Sequence, residues 1–228
     1  MEFKLAEDLS KKIRININNI AREYWEMFIL NGLYSDALGK NLVFKGGTAM
    51  RLIYNSPRFS EDLDFSLLRE MTFNDFKKVV KDIISQQTEL SIKELYSKKN
   101  TFFALIKFKQ EYLSQTLSIK VEISKRKLAL KKDVDFILAT ASSPTTNLKP
   151  LVKVFTLERL LKEKLNTLLS RKKGKDLFDV WFIGQLLKKQ IAFPRVKLEE
   201  KDIKQELDRL LPDNYKPIIP QLVKLCQK

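Results

Sequence analysis

The tightest constraint on this chain lies between residues 42 and 67. Leu42-Val43-Phe44-Lys45 reads as a short buried strand, Gly46-Gly47 as a turn, Thr48 to Tyr54 as a helix, and Leu63 to Leu67 as a second strand. A glycine pair between strand and helix lets backbone N–H groups approach an anion, and the helix N-terminus adds a favourable dipole. Alone, such a pair is usually just a tight turn. The second strand opens on Asp62-Leu63-Asp64, and strand alternation turns both carboxylates to one face, about 7 Å apart at Cα. Acids so placed repel unless a cation neutralises them. A divalent metal is one reading of them, and a solvated strand face is the plain alternative.

The flanking segments predict an α+β chain. Apolar positions from Leu5 to Leu30 recur near helical spacing and stop at Asn31-Gly32, as one long helix or two short ones. Thr72 caps an amphipathic helix from Phe73 to about Gln87. Three β-rich runs follow at Ser91 to Tyr96, Thr101 to Phe108 and Thr116 to Ser124. The last alternates cleanly, with Leu117, Ile119, Val121 and Ile123 on one face and Ser118, Lys120, Glu122 and Ser124 on the other. Residues 140–150 are rich in breakers, and everything after them reads as helix: Leu157 to Leu169, Asp176 to Leu187 and Leu198 to Leu211, then an irregular tail marked by Pro212, Pro217 and Pro220. We therefore expect residues 1-145 to form the core with its N-terminal helices and residues 146-228 a helical C-terminal lobe.

Composition narrows the chemistry. With no histidine in 228 residues, Ser-His-Asp and Cys-His nucleophiles and imidazole metal ligands are excluded, leaving carboxylates, lysines, arginines and hydroxyls. Oxygen-only ligation suits magnesium or manganese better than zinc or copper. The lone Cys226 has no partner for a disulfide and reads as incidental. Forty-three Lys+Arg against 28 Asp+Glu give a charge of +15, which attracts polyanions such as nucleic acid; a basic genome-wide bias is the bland alternative. No apolar stretch reaches the roughly 20 residues that span a bilayer, and the amphipathic N-terminus does not read as a signal peptide, so the expected address is cytoplasmic and no membrane partner is expected.

A glycine pair about a dozen residues before an Asp-x-Asp pair matches the polymerase-β-type nucleotidyltransferase signature. A third carboxylate on an adjacent strand normally completes a two-metal site, and Glu122 is the best-placed acid, ahead of Glu111 and Asp135. The full run, Phe44-Lys45-Gly46-Gly47-Thr48-Ala49-Met50-Arg51-Leu52-Ile53-Tyr54 and then Arg58-Phe59-Ser60-Glu61-Asp62-Leu63-Asp64-Phe65, resembles the AbiEii/AbiGii toxin family. Arg58 has the chemistry to approach triphosphate oxygens, and Ser60 to bond a phosphate or orient Asp62. Arg51 reads as a structural clamp. A second stretch agrees, from Glu163-Lys164-Leu165 to Arg171 and then Asp176-Leu177-Phe178-Asp179. Lys175 departs from the family, which usually has arginine there.

The resemblance implies a polymerase-β-like core with a mixed sheet, flanked by N-terminal helices and a helical C-terminal lobe. It also implies a metal-dependent nucleotidyltransferase, the toxin of a type IV-like toxin–antitoxin pair, with Mg²⁺ or Mn²⁺ held by Asp62, Asp64 and Glu122. A nucleoside triphosphate would be gripped by Gly46, Gly47, Thr48, Arg58, Ser60 and Lys164. Asp176 would support Lys164 or activate the acceptor hydroxyl, unless it merely caps its helix and pairs with Arg171; Asp179 reads as structural. Family members add nucleotides in several cases to the tRNA 3′ end, so an RNA acceptor and a cognate antitoxin are implied partners. Two rivals stay open: transfer to a protein or small-molecule hydroxyl, and a catalytically silent nucleic-acid or antitoxin-binding module.

Overall fold

A computed structural model describes residues 1–194, 196 and 198–227; the side chain of Cys226 lies outside the described ones. Two helices open the chain, α1 (Phe3–Ile13) and α2 (Ile17–Ser35). They are separated where Arg14 turns left-handed at φ 61° and Asn16 caps the next N-terminus. A 3₁₀ turn, Ala37–Asn41, leads into β1 (Leu42–Lys45), α3 (Gly46–Tyr54), β2 (Asp62–Leu67) and α4 (Phe73–Ile84). Thr72 and Asp75 form a reciprocal capping box at the start of α4. The sheet then takes β3 (Leu90–Lys98), β4 (Thr101–Phe108), β5 (Leu117–Ser124), β6 (Phe136–Thr140) and β7 (Leu151–Phe155). The chain ends in α5 (Leu157–Arg171), α6 (Gly174–Leu187), α7 (Glu200–Asp208), a 3₁₀ turn at Asp213–Ile218 and α8 (Ile219–Gln227).

Seven strands form one mixed sheet in the order β3-β4-β5-β2-β1-β7-β6. β1 pairs antiparallel with β2 and parallel with β7, and β2 pairs parallel with β5. The strands at 42–45, 63–67 and 117–124 are thus neighbours. Two features depart from the sequence reading. The stretch after residue 150, read as wholly helical, first supplies β7 to the sheet, with β6 as its antiparallel edge; five residues, four of them apolar around Lys153, are too few for periodicity to tell strand from helix. The tail read as irregular is largely helical, with Pro217 inside a 3₁₀ turn and Pro220 in the first turn of α8, where a missing N–H costs nothing.

The two faces of the sheet are covered differently. α2 and α4 lie on one face, where Trp25, Ile29, Leu33, Phe76 and Val80 pack on Phe44, Leu63, Phe65, Ala104, Val121 and Ile123. On the opposite face a smaller cluster joins Val43, Phe136 and Phe155 to Met50, Leu160 and Ile183, so α3, α5 and α6 cover only the β1-β7-β6 half. Helices α5 to α8 share a separate core around Leu168, Phe178, Ile203 and Leu222. Among the described residues no helix is long and apolar enough to cross a membrane.

Candidate active site

Alternation along β2 buries Leu63 and Phe65 in the core and sends Asp62 and Asp64 to the half-covered face. Parallel pairing places Lys120 beside Asp62 and Glu122 beside Asp64, and β1 places Lys45 opposite Asp64. The Lys120 Nζ lies 3.2 Å from Asp62 Oδ2 and 3.5 Å from Glu122 Oε2, so Glu122 and Asp62 gather around one ammonium. Lys120 was visible in the sequence on the same strand face as Glu122 but not counted in the site. Its two-residue spacing from Glu122 was the signal.

The glycines are fixed by close approach. Gly46 adopts φ +81°, and a Cβ there would stand 2.6 Å from Asp64 Oδ2; at Gly47 a Cβ would meet Arg58 Nη2 at 2.4 Å and Ser60 Oγ at 2.7 Å. α3 begins at Gly46 without a side-chain cap, so its first N–H groups remain available beside the acids. These groups line a cavity of about 440 Å³ with Ser60, Asp62, Asp64, Lys120 and Glu122 on the sheet side and Glu163, Lys164, Arg171 and Lys175 on the helical side. A larger cleft of about 750 Å³ opens by the start of α2 between Arg14, Arg22 and Arg209, but holds neither aspartate of the pair.

Three residues expected on the triphosphate already have protein partners, although Arg58 and Lys164 also line the cavity. Arg58 is 2% exposed, and Nε and Nη2 each donate to Asp179 at 2.8 Å while Nη1 donates to the Phe59 carbonyl, so its guanidinium is a buried strut. Thr48 is fully buried, its hydroxyl donating to the Asp62 carbonyl and tying α3 to the start of β2. Lys164 reaches the cavity wall, but its Nζ sits 2.7 Å from Asp179 Oδ2 and 3.1 Å from Asp176 Oδ1. Asp176 is fully buried, does not line the cavity, and accepts from Lys164, with Arg171 Nη2 at 3.6 Å. Its link to the cavity runs through Lys164 and Arg171, which line it. Asp179, fully buried, is the hub of this network and joins α6 to the segment entering β2. Arg51 pairs with Glu23 at 2.7 Å and lies over the Phe59 ring.

Charge is distributed accordingly. Burial pushes the Asp64 carboxyl up, Asp62 adds to the rise, and Lys120, Lys164 and Lys45 only partly offset it. Burial alone would lower the Lys120 ammonium, but Asp62 and Asp64 outweigh it and hold the group above its usual range. Burial likewise raises Asp179 less than Arg58 and Lys164 depress it, so it stays ionised.

A divalent cation suits this donor set in kind. The donors are hard carboxylate oxygens, Asp62 and Asp64 repel each other, and a glycine leaves the space beside the Asp64 Oδ2 clear. Among the described residues no three His, Cys, Asp or Glu side chains form a preformed metal cage. Lys120 stands between the acids as their present counterion.

A family model described as "Nucleotidyl transferase AbiEii toxin, Type IV TA system" matches residues 29–218. Among solved structures, JHP933 from Helicobacter pylori superposes with a TM-score of 0.61 at 19% identity, covering 93% of this chain and 92% of that one. The nucleotidyltransferase toxin MenT4 from Mycobacterium tuberculosis superposes at 0.56 with 17% identity, covering 92% and 84%. At such identities these neighbours share the fold. No curated protein sequence matches the chain.

Proposed function

The chain belongs to the AbiEii family of nucleotidyltransferase toxins, and from that premise we propose that it transfers a nucleoside monophosphate from a triphosphate to a hydroxyl of RNA, the 3′ end of tRNA above all. The observation that carries this reading is the pairing of Asp62 and Asp64 with Glu122 in adjacent register beside an uncapped glycine-led helix. We assign Asp62, Asp64 and Glu122 as the residues that hold Mg²⁺ or Mn²⁺. When bound, the metal aligns the acceptor oxygen with the α-phosphorus and stabilises the departing charge.

The chain's own residues do the rest. The Gly46 and Gly47 amides and Ser60 hydroxyl take phosphate oxygens, and Lys120, released from the acids, supplies a mobile positive charge with Arg171 and Lys175 across the cavity. Arg58, Lys164, Asp176 and Asp179 hold the glycine turn and the helical lobe in register instead of touching substrate. The hydroxyl oxygen bonds to the α-phosphorus, the bond to the bridging oxygen breaks and pyrophosphate leaves. The hydroxyl proton passes to solvent water at the open side of the cavity, by Glu122, whose side chain is 38% exposed against 32% for Asp62.

We divide the chain into a catalytic core that ends with β7 and a helical lobe that begins at Leu157, and infer a cytoplasmic site of action and a cognate antitoxin as regulator. The +15 charge favours RNA over a small neutral acceptor. Incubation with each α-labelled triphosphate, Mg²⁺ and total RNA tests the reading. Labelled RNA with released pyrophosphate is expected, and full activity in a double Asp62→Asn, Asp64→Asn protein refutes it.

A further inference from the structure

Among the described residues, the β3-β4-β5 wing has one face with no helix on it. α2 and α4 pack on its apolar side, through Phe102, Ala104, Ile106, Val121 and Ile123, while α5 and α6 cover only the other half of the sheet. The open face is polar along β5, with Ser118, Lys120, Glu122 and Ser124, but carries an aromatic pair between β3 and β4. Phe103 on β4 pairs in register with Tyr96 on β3, and their rings stack at 4.6 Å and 10°. Lys98 lies 5.0 Å above the Tyr96 ring, and Lys107 stands exposed on the same face of β4. Part-exposed aromatics on an uncovered sheet suit a ligand with flat faces.

The placement points the same way. Tyr96, Phe103, Glu122 and Asp64 occupy one cross-strand row over four adjacent strands. At about 4.8 Å per strand, Phe103 lies about 10 Å from Asp64, within reach of a nucleotide next to a terminal hydroxyl held at the acids. At the end of β5, Arg126 lines the acid cavity itself, next to Lys125. Aromatic faces interleaved with lysines on an open sheet bind single-stranded nucleic acid by base stacking and phosphate contacts.

We propose that this open wing is the docking platform for the single-stranded 3′ end of the RNA acceptor, with Phe103 and Tyr96 stacking bases and Lys98, Lys107 and Arg126 tracking the backbone. The proposal rests on the nucleotidyltransferase reading for its direction, since the strand must end at Asp62 and Asp64. It adds that acceptor and triphosphate enter separately: the triphosphate beside the glycine turn, the RNA over the wing.

The test uses the full chain and a fluorescein-labelled single-stranded oligoribonucleotide of about a dozen nucleotides, read by anisotropy across a salt series. Phe103→Leu should weaken binding about 10-fold. Lys107→Gln should weaken it with a salt dependence shallower by about one charge. Binding of a non-hydrolysable nucleoside triphosphate by Phe103→Leu, followed by calorimetry, should be unchanged, and its melting temperature should fall only by the few degrees that one lost ring pair is worth. Wild-type RNA affinity in a folded Phe103→Leu protein overturns the proposal, as does equal affinity for blunt duplex RNA or equal displacement by polyglutamate. The chemistry fails separately. An RNA-binding protein that never transfers nucleotide refutes the catalytic reading alone, whereas normal transfer with an unaltered acceptor KM in Phe103→Leu refutes the platform alone.

Discussion

Asp179→Asn offers the sharpest separation of scaffold from chemistry. Asparagine keeps the size and one acceptor but removes the charge paired with buried Arg58 at 2.8 Å and the nearer of the two carboxylates on Lys164, at 2.7 Å against 3.1 Å for Asp176. Arg58 is 2% exposed, so it cannot recover water in exchange. Breaking one partner of a buried pair costs about 3–5 kcal/mol. In a chain of this length each kcal/mol lowers Tm by about 2–4 °C, so a loss of about 6–20 °C is expected. Thermal and urea melts followed by far-UV circular dichroism measure it. A double-mutant cycle with Arg58→Met should show coupling, because the arginine's own loss is much cheaper once its partner is neutral. An Asp179→Asn protein that melts within about 2 °C of wild type would refute the claim that this network, and not the triphosphate, is what Arg58 and Lys164 serve.

Asp64→Asn should do the reverse, reducing transfer about 10²-fold or more without lowering Tm. Its raised pKa means that ionisation is penalised in the fold, so any gain in Tm over wild type should appear above the ordinary carboxylate range and vanish in acid. Glu26 is 1% exposed, its Oε1 has no partner, and burial raises its carboxyl well above the usual range despite Arg22. Wild type therefore loses stability as pH rises from the ordinary carboxylate range through the folded pKa, and Glu26→Gln should be more stable at neutral pH by on the order of 1 kcal/mol; parallel melts at acid and neutral pH that show no widening gap would contradict this. Gly47→Ala places a methyl 2.4 Å from Arg58 Nη2 and should cost about 1–3 kcal/mol and weaken triphosphate binding, both readable by melting and calorimetry.

Local pattern alone determined much of this protein. Strand, glycine turn, helix and acid-bearing strand follow from residues 42–67, and the two-residue period of 117–124 put Glu122 on a polar face before any partner strand was known. These signals are legible because they depend on neighbours a few residues away. The strand at Leu151–Phe155 was not legible, since a five-residue run with four apolar side chains becomes a strand only when β1 offers its edge. The role of Arg58 was not legible either. An arginine two residues before Ser60 has the chemistry of an anion ligand, and what makes it a strut is an aspartate 121 residues away in the chain. Sequence spacing carries no record of that distance. The ion pairs of Lys164 with Asp176 and Asp179 were hidden for the same reason, and Lys120 stands among the acids because parallel pairing with β2 set it beside Asp62. Residue chemistry fixes what a side chain is able to bind, but burial and the nearest opposite charge decide what it does bind, and both are properties of the packed chain.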